Sequence, residues 1–259
     1  MKKAIIISFV TVMAMCSSCQ KNNNINQPLQ RNILKDAKTL DGLISMFSNV
    51  SSQQGLVYIE ADNTPYSAAK GVKSQTTLQG FVQGDANTHN YIFQIGDYPT
   101  ITAKPQADKK IYQFPQPTTG PKDYTGLYGT STTFSLKDDS KQIISGTLDI
   151  PNIINVDPVN RKTQNRSNLT ITWNQDAKNT IGVIIVVNVH DANGHTIAVN
   201  SKLVSDNGSA SISDLLSPYP NSNSFELQVT RGTYSQTTMP DNSIYNVVVY
   251  SHSDQGLVF

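Results

Sequence analysis

Two rhythms of apolar residues run along the chain. Ile33, Ala37, Leu40, Ile44 and Phe47 recur at helical spacing and predict one amphipathic helix near 32–48, weakened at Gly42. From Gly55 the period falls to two. Strands are predicted at 56–61, 77–83, 90–95, 110–114, 131–137 and 142–150. In the third, Tyr91, Phe93 and Ile95 share one face while Asn90, Ile92 and Gln94 share the other. Turn formers such as Asp62-Asn63-Thr64-Pro65 and Gly84-Asp85-Ala86-Asn87 separate the runs. Residues 115–130 are rich in Pro and Gly and carry Tyr124 and Tyr128.

A boundary is predicted at 151–167, which holds Pro151 and Pro158, four charges and few periodic apolar positions. Beyond it strands are predicted at 168–173, 181–190, 195–200, 208–213, 224–231 and 244–251. Val183 to Val187 is continuously apolar, as in a central strand covered on both faces. Asp191-Ala192-Asn193-Gly194 predicts a hairpin, with Asp opening the turn and Gly taking the left-handed position. The fold class is therefore all-β. Two β-sandwich-like domains are expected, 33–150 with the helix at its start and 151–259.

Composition agrees. Hydrophobic residues make up 37% and charged residues 15%, and the balance is rich in Asn, Ser, Thr and Gln, which suits strands that alternate buried and hydroxyl-bearing side chains. Glu occurs only as Glu60 and Glu226, which argues against surface helices. Without residues 1–18 the chain has 18 basic against 19 acidic residues. A near-neutral chain without basic clusters gives nucleic acid little to attract it.

The amino terminus is the most specific signal. Lys2 and Lys3 precede the apolar run Ala4–Met15, and Cys16-Ser17-Ser18-Cys19 follows. The run is shorter than the ~20 residues that span a bilayer and has the size of a signal-peptide core. Small residues before a cysteine resemble the lipobox of bacterial lipoproteins, in which the cysteine becomes the acylated first residue. Cys19 fits, because Ser17 and Ser18 are small. Cys16 fits worse because it follows Met15, and Cys16 itself occupies a position where a larger aliphatic residue is usual. The competing reading is a signal peptide cut elsewhere, or a Cys16–Cys19 disulfide. No cysteine lies beyond position 19, and a lone thiol in an oxidising compartment is awkward unless acylated.

The expected organisation is thus a signal peptide at 1–18, then an acylated cysteine and polar tether at 19–32. Gln20-Lys21-Asn22-Asn23-Asn24 resembles the start of Bacteroidota lipoproteins. The resemblance implies an outer-membrane anchor facing the periplasm or the cell surface.

Leu169-Thr170-Ile171-Thr172-Trp173 resembles the second strand of immunoglobulin-like and fibronectin-III-like domains, where a Trp closes the core. The stretches TITWNQDAKNTIGVIIVV, SDNGSASISDL, LQVTRGTY and YNVVVYS resemble the carboxy-terminal domain of Bacteroidota cell-envelope lipoproteins. The likeness covers roughly 145–259 and implies a fold, with no activity attached.

Candidate chemistry is sparse. Ser67-Ala68-Ala69-Lys70 and Ser205-Asp206-Asn207 match two short strings of penicillin-binding serine enzymes, but no K-T-G follows and Ser67 sits in a β-rich stretch. His190 and His195 flank the predicted hairpin. If Asp191 pairs with His195, His190 falls on the opposite sheet face and the two cannot share a metal. Asp138-Asp139 and Asp85-x-Asn87 lack the remainder of a calcium loop and read as turns. No metal, cofactor or catalytic residue is assigned. Tyr124 and Tyr128 are the best binding candidates, since aromatic faces stack on sugar rings; the plainer alternative is that they plug a sheet edge. These readings favour a non-enzymatic, lipid-anchored envelope protein that presents a binding or structural surface, with a membrane as partner through the anchor and either a glycan or another envelope protein as the second. A glycan-binding accessory lipoprotein of an uptake system and a secreted hydrolase are the alternatives.

Overall fold

A computed structural model describes residues 55–63, 75–84, 90–105, 111–114, 123–139, 141–159 and 166–259. Cys19, the segment 32–48, Ser67 and Lys70 lie outside the described residues. The described strands are β1 (Gly55–Asp62), β2 (Gln75–Gln83), β3 (Tyr91–Ile95), β4 (Ile101–Thr102), β5 (Lys104–Pro105), β6 (Ile111–Phe114), β7 (Ser131–Asp138), β8 (Lys141–Asp149), β9 (Thr170–Thr172), β10 (Val183–His190), β11 (Thr196–Val204), β12 (Ser209–Ser211), β13 (Ser224–Thr238) and β14 (Ile244–Val258). One short helix, α1 (Ser213–Leu216), precedes β13. The fold is all-β and of sandwich type.

An eight-stranded sheet in the order β11-β10-β13-β14-β1-β2-β6-β5 forms the backbone of the molecule. It contains strands from both sides of the 151–167 segment, joined where β1 pairs with β14 in parallel from Gly55↔Tyr245 to Asp62↔His252. All its other pairings are antiparallel. The long hairpin β13–β14 stays in register from Ser224↔Val258 to Thr238↔Ile244. At about 3.3 Å per residue its 15-residue strands reach about 50 Å. Both strands run well past the predicted ends at 231 and 251. The alternation continues through Arg231-Gly232 and Ser251-His252-Ser253, with Thr233, Ser251 and Ser253 facing inward.

Two apolar cores lie on the front of this sheet. The first joins Val57, Ile59, Leu78, Val82, Phe114, Val247 and Val249 to Phe93, Ile95, Phe134, Leu136 and Ile144 of a second sheet, ordered β4-β3-β7-β8. The second joins Ile185, Val187, Val189, Phe225, Leu227 and Val229 to Ile154, Ile171, Trp173, Ile212 and Leu216, carried by the 153–159 segment, β9, β12 and α1. The cores lie in series along β13–β14. Tyr245 belongs to the first and Leu257 to the second. The short-period strands therefore bury alternate residues forward, while β1 and β10 are buried on both faces.

Candidate functional site

The two cores meet at a buried charge. Arg231 projects forward from the middle of β13 and is fully enclosed. Its Nη2 lies 2.7 Å from Asp206 Oδ1 and also donates to Asn174 O, while Nη1 donates to Asn152 O at 3.3 Å. Asp206 accepts a second bond from Trp173 Nε1 at 2.9 Å and a third, on Oδ2, from Asn179 Nδ2 at 2.9 Å. Asp176 ties in the same junction by accepting from the backbone and side chain of Asn152. Burial raises the Asp176 pKa, but these bonds, one from the Lys178 backbone and the Arg231 charge outweigh it and leave the carboxyl below its ordinary value. A single guanidinium thus pins the linker at 152, the exit of β9 and the 205–208 turn to the central hairpin. Asp206 of the Ser205-Asp206-Asn207 string is consumed in this staple.

On the back of the sheet a second polar group spans the β1–β14 junction. Tyr250, His252 and Asp254 alternate on one face of β14, beside Tyr58 and Glu60 of β1. His252 Nε2 lies 2.8 Å from Glu60 Oε1, and Nδ1 lies 3.3 Å from Asp254 Oδ2. Burial pushes the imidazole pKa down, but the contacts with Asp254 and Glu60 override it and raise the value to about 10. His252 is therefore an imidazolium at neutral pH and is not available as a general base. Each carboxylate takes a different ring nitrogen, so the three groups do not converge on a common centre. Among the described residues no group of three His, Cys, Asp or Glu is arranged to hold a metal ion. The neighbouring Tyr58 and Tyr250 hydroxyls are raised above the phenol range, first by burial and then by the Glu60 charge.

Nothing in the sequence singled out this group. The only usable signals were the scarcity of Glu and the i, i+2, i+4 spacing of Tyr250, His252 and Asp254. The parallel register that brings Glu60 alongside was not legible.

The tyrosines singled out for binding are turned inward. Tyr124 is 1% exposed and belongs to the first core. Its ring packs against Tyr98 at 4.9 Å between centroids, and its backbone N–H donates to Thr76 Oγ1. Burial, then the charge on Tyr98, pushes its hydroxyl up to about 12. Tyr128 is partly buried against the same core and donates through its hydroxyl to Tyr250 O at 2.6 Å. Tyr124 offers no open ring face as a platform for a sugar. A short 3-10 turn over Thr125–Leu127 separates the two aromatics and buries Leu127.

The histidine hairpin has the expected geometry. Asp191 N donates to His195 O, Asp191 Oδ1 accepts from the Asn193 and His195 backbone, and Gly194 is left-handed at φ +82°. His190 contacts Thr196 Oγ1 while the His195 side chain is 77% exposed. Asp139 closes the β7–β8 turn at φ 48° and accepts from Asn90.

Exposed large apolar side chains cluster on β11, at Ile197, Val199 and Leu203. All three point to the back of the sheet, opposite to Ala198, whose side chain enters the second core. β11 is also an edge strand.

No family model matches the chain, and no curated protein matches it. Among solved structures the chain is similar to one described as the tetra-tandem repeat in the extending region of a large adhesion protein, with 15% identity and a TM-score of 0.20. The alignment covers 78% of this chain, which spans about half of that one, 49%.

Proposed function

We propose that this protein is a non-enzymatic, lipid-anchored component of a bacterial cell envelope that holds a contact surface away from the membrane. The sequence supplies the anchor, through the Lys2-Lys3, Ala4–Met15 and Ser17-Ser18-Cys19 signals. The observation that carries the reading is the polarity of the long hairpin. The chain enters the sheet at Gly55, paired with Tyr245, at the first-core end. Phe225 and Leu257 mark the other end, about 40 Å of strand away. The exposed Ile197, Val199 and Leu203 lie in that distal half, because β11 joins the hairpin only through β10 and Ser224–Arg231. A tether at one end and an apolar edge at the other suit presentation to another envelope protein. A non-catalytic role agrees with the state of the best ionisable groups: His252 is committed to two carboxylates and Asp206 to Arg231 and Trp173. With Tyr124 buried in the first core, glycan capture at this segment would rest on the partly buried Tyr128 alone.

Fractionation of cells tests the proposal. The native chain is expected in the detergent-extracted membrane fraction and Cys19→Ala in the soluble fraction. Equal membrane retention of Cys19→Ala would refute the anchor.

A further inference from the structure

We propose that β11 is a docking edge for a second copy of this chain, the two β11 strands pairing antiparallel about a two-fold axis at Asn200 and joining two eight-stranded sheets into one. This names the partner of the apolar edge to which the proposed function assigns contact; it rests on that reading for the role of the edge and not for the pairing. β11 closes the large sheet on one side and is nine residues long, about 30 Å at ~3.3 Å per residue. Alternate residues of an edge strand turn their N–H and C=O groups outward, and outside the ladder with β10 no backbone bond to residues 197–204 occurs among the described residues. Such a row is a template for another strand unless something guards it.

The other described sheet edges are guarded. β4 and β5 have two residues each, and β5 ends in Pro105. β9 and β12 have three residues each. β8 is as long as β11, but its exposed residues are the polar Gln142, Ser145, Thr147 and Asp149. β11 has no proline, and its one charge is folded away. Lys202 Nζ lies 2.6 Å from Asp214 Oδ1 and donates to Ser211 O, on the front of the sheet. Ile197, Val199 and Leu203 stand on the back face, 41%, 47% and 41% exposed.

The order of residues along β11 selects a second copy as the partner. A two-fold axis that continues one sheet across its edge makes the joined strands antiparallel and keeps front with front. Full overlap of Thr196–Val204 with itself puts that axis at Asn200. The register sets Ile197 of each copy opposite Leu203 of the other, and Val199 opposite Ser201. The apolar side chains of both copies then share one stripe over the back of the seam. On the front, Lys202 falls opposite Ala198 and stays paired with Asp214 of its own chain, so no like charges meet within the overlap. The far edge of each sheet is the blunt β5, so the assembly stops at two.

Two measurements on the full-length chain in detergent test this. An interface built on one strand pair is small, so light scattering is expected to give a protein mass of two chains at about 100 µM and not at high dilution. Val199→Lys should weaken the dimer about tenfold or more, since a lysine on an edge opposes pairing. Val258→Lys, at an exposed apolar residue off β11, should leave it unchanged. Cys19→Ala should dimerise like the native chain, so loss of the anchor and loss of the pairing are read separately. In the second measurement, benzoylphenylalanine replaces Leu203 in an equal mixture of heavy-isotope-labelled and unlabelled chains. After irradiation, adducts of mixed isotopic composition are expected from position 203 to residues 195–199. If Val199→Lys does not fold by circular dichroism, the adduct map decides alone. A monomer at that concentration, an open-ended series of larger species, a dimer untouched by a folded Val199→Lys, or mixed adducts that avoid β11 would each overturn the proposal.

Discussion

At the scale of single residues, two buried ionic groups decide how the sheet is joined, and they behave oppositely. Arg231 and Asp206 are enclosed and paired with each other, so removing one leaves the other charged, buried and without its counter-charge. Arg231→Ala is expected to lower unfolding stability in urea by about 3–5 kcal/mol. A loss below about 1 kcal/mol would show that the junction is held by packing alone. His252 supplies a pH signature. Its pKa is about 10 in the fold against 6.5 for the free side chain, so the folded state binds the proton more tightly. The stabilisation is complete below about 6.5 and is lost as pH rises toward 10, with a slope of up to about 1.4 kcal/mol per pH unit. Urea midpoints measured between pH 6 and 9 should fall as pH rises. His252→Gln should flatten that fall, whereas an unchanged slope would assign it to other groups.

At the scale of elements, the β13–β14 hairpin is the critical piece, and Gly232 is its narrowest point. A Cβ there would stand 2.6 Å from Tyr250 Cβ and 2.7 Å from Val249 O. Neither can retreat without shifting the strand. Gly232→Val is expected to cost about 2–3 kcal/mol in urea or thermal unfolding despite the higher strand propensity of Val; a neutral or stabilising result would mean that the strands separate there freely. Part of what the sequence concealed lies in the same strand. Strands with clean alternation, such as β3 and β7, and the continuous run of β10 were readable with their ends nearly right. The predicted strand at 224–231 ends at Arg231, whereas β13 runs on to Thr238 with Arg231 buried in mid-strand by its partners Asp206, Asn174 and Asn152. The pairing of β1 with β14 was illegible for a different reason: it is parallel, joins residues nearly two hundred positions apart and leaves no local mark. Tyr124 and Tyr128 stand in a segment rich in Pro and Gly, yet Tyr124 enters the first core and Tyr128 packs against it.

At the scale of the molecule, the shared sheet makes the two cores mechanically dependent. The boundary predicted at 151–167 marks a change of covering layer, while the sheet beneath continues from β11 to β5. Calorimetry is expected to show a single unfolding transition, because separating the cores requires breaking β13 and β14 in mid-strand. Two well-resolved transitions would show that each half folds by itself. Rigidity of this kind matters only if one end is fixed, and the reading of the protein as an envelope scaffold rests on that fixture. The most direct measurement is the mass of the amino-terminal peptide from protein purified out of membranes. It should begin at Cys19 and carry covalently bound acyl chains, releasing fatty acid on hydrolysis. A peptide that retains residues before Cys19, or one that begins there with an unmodified thiol, would contradict the account.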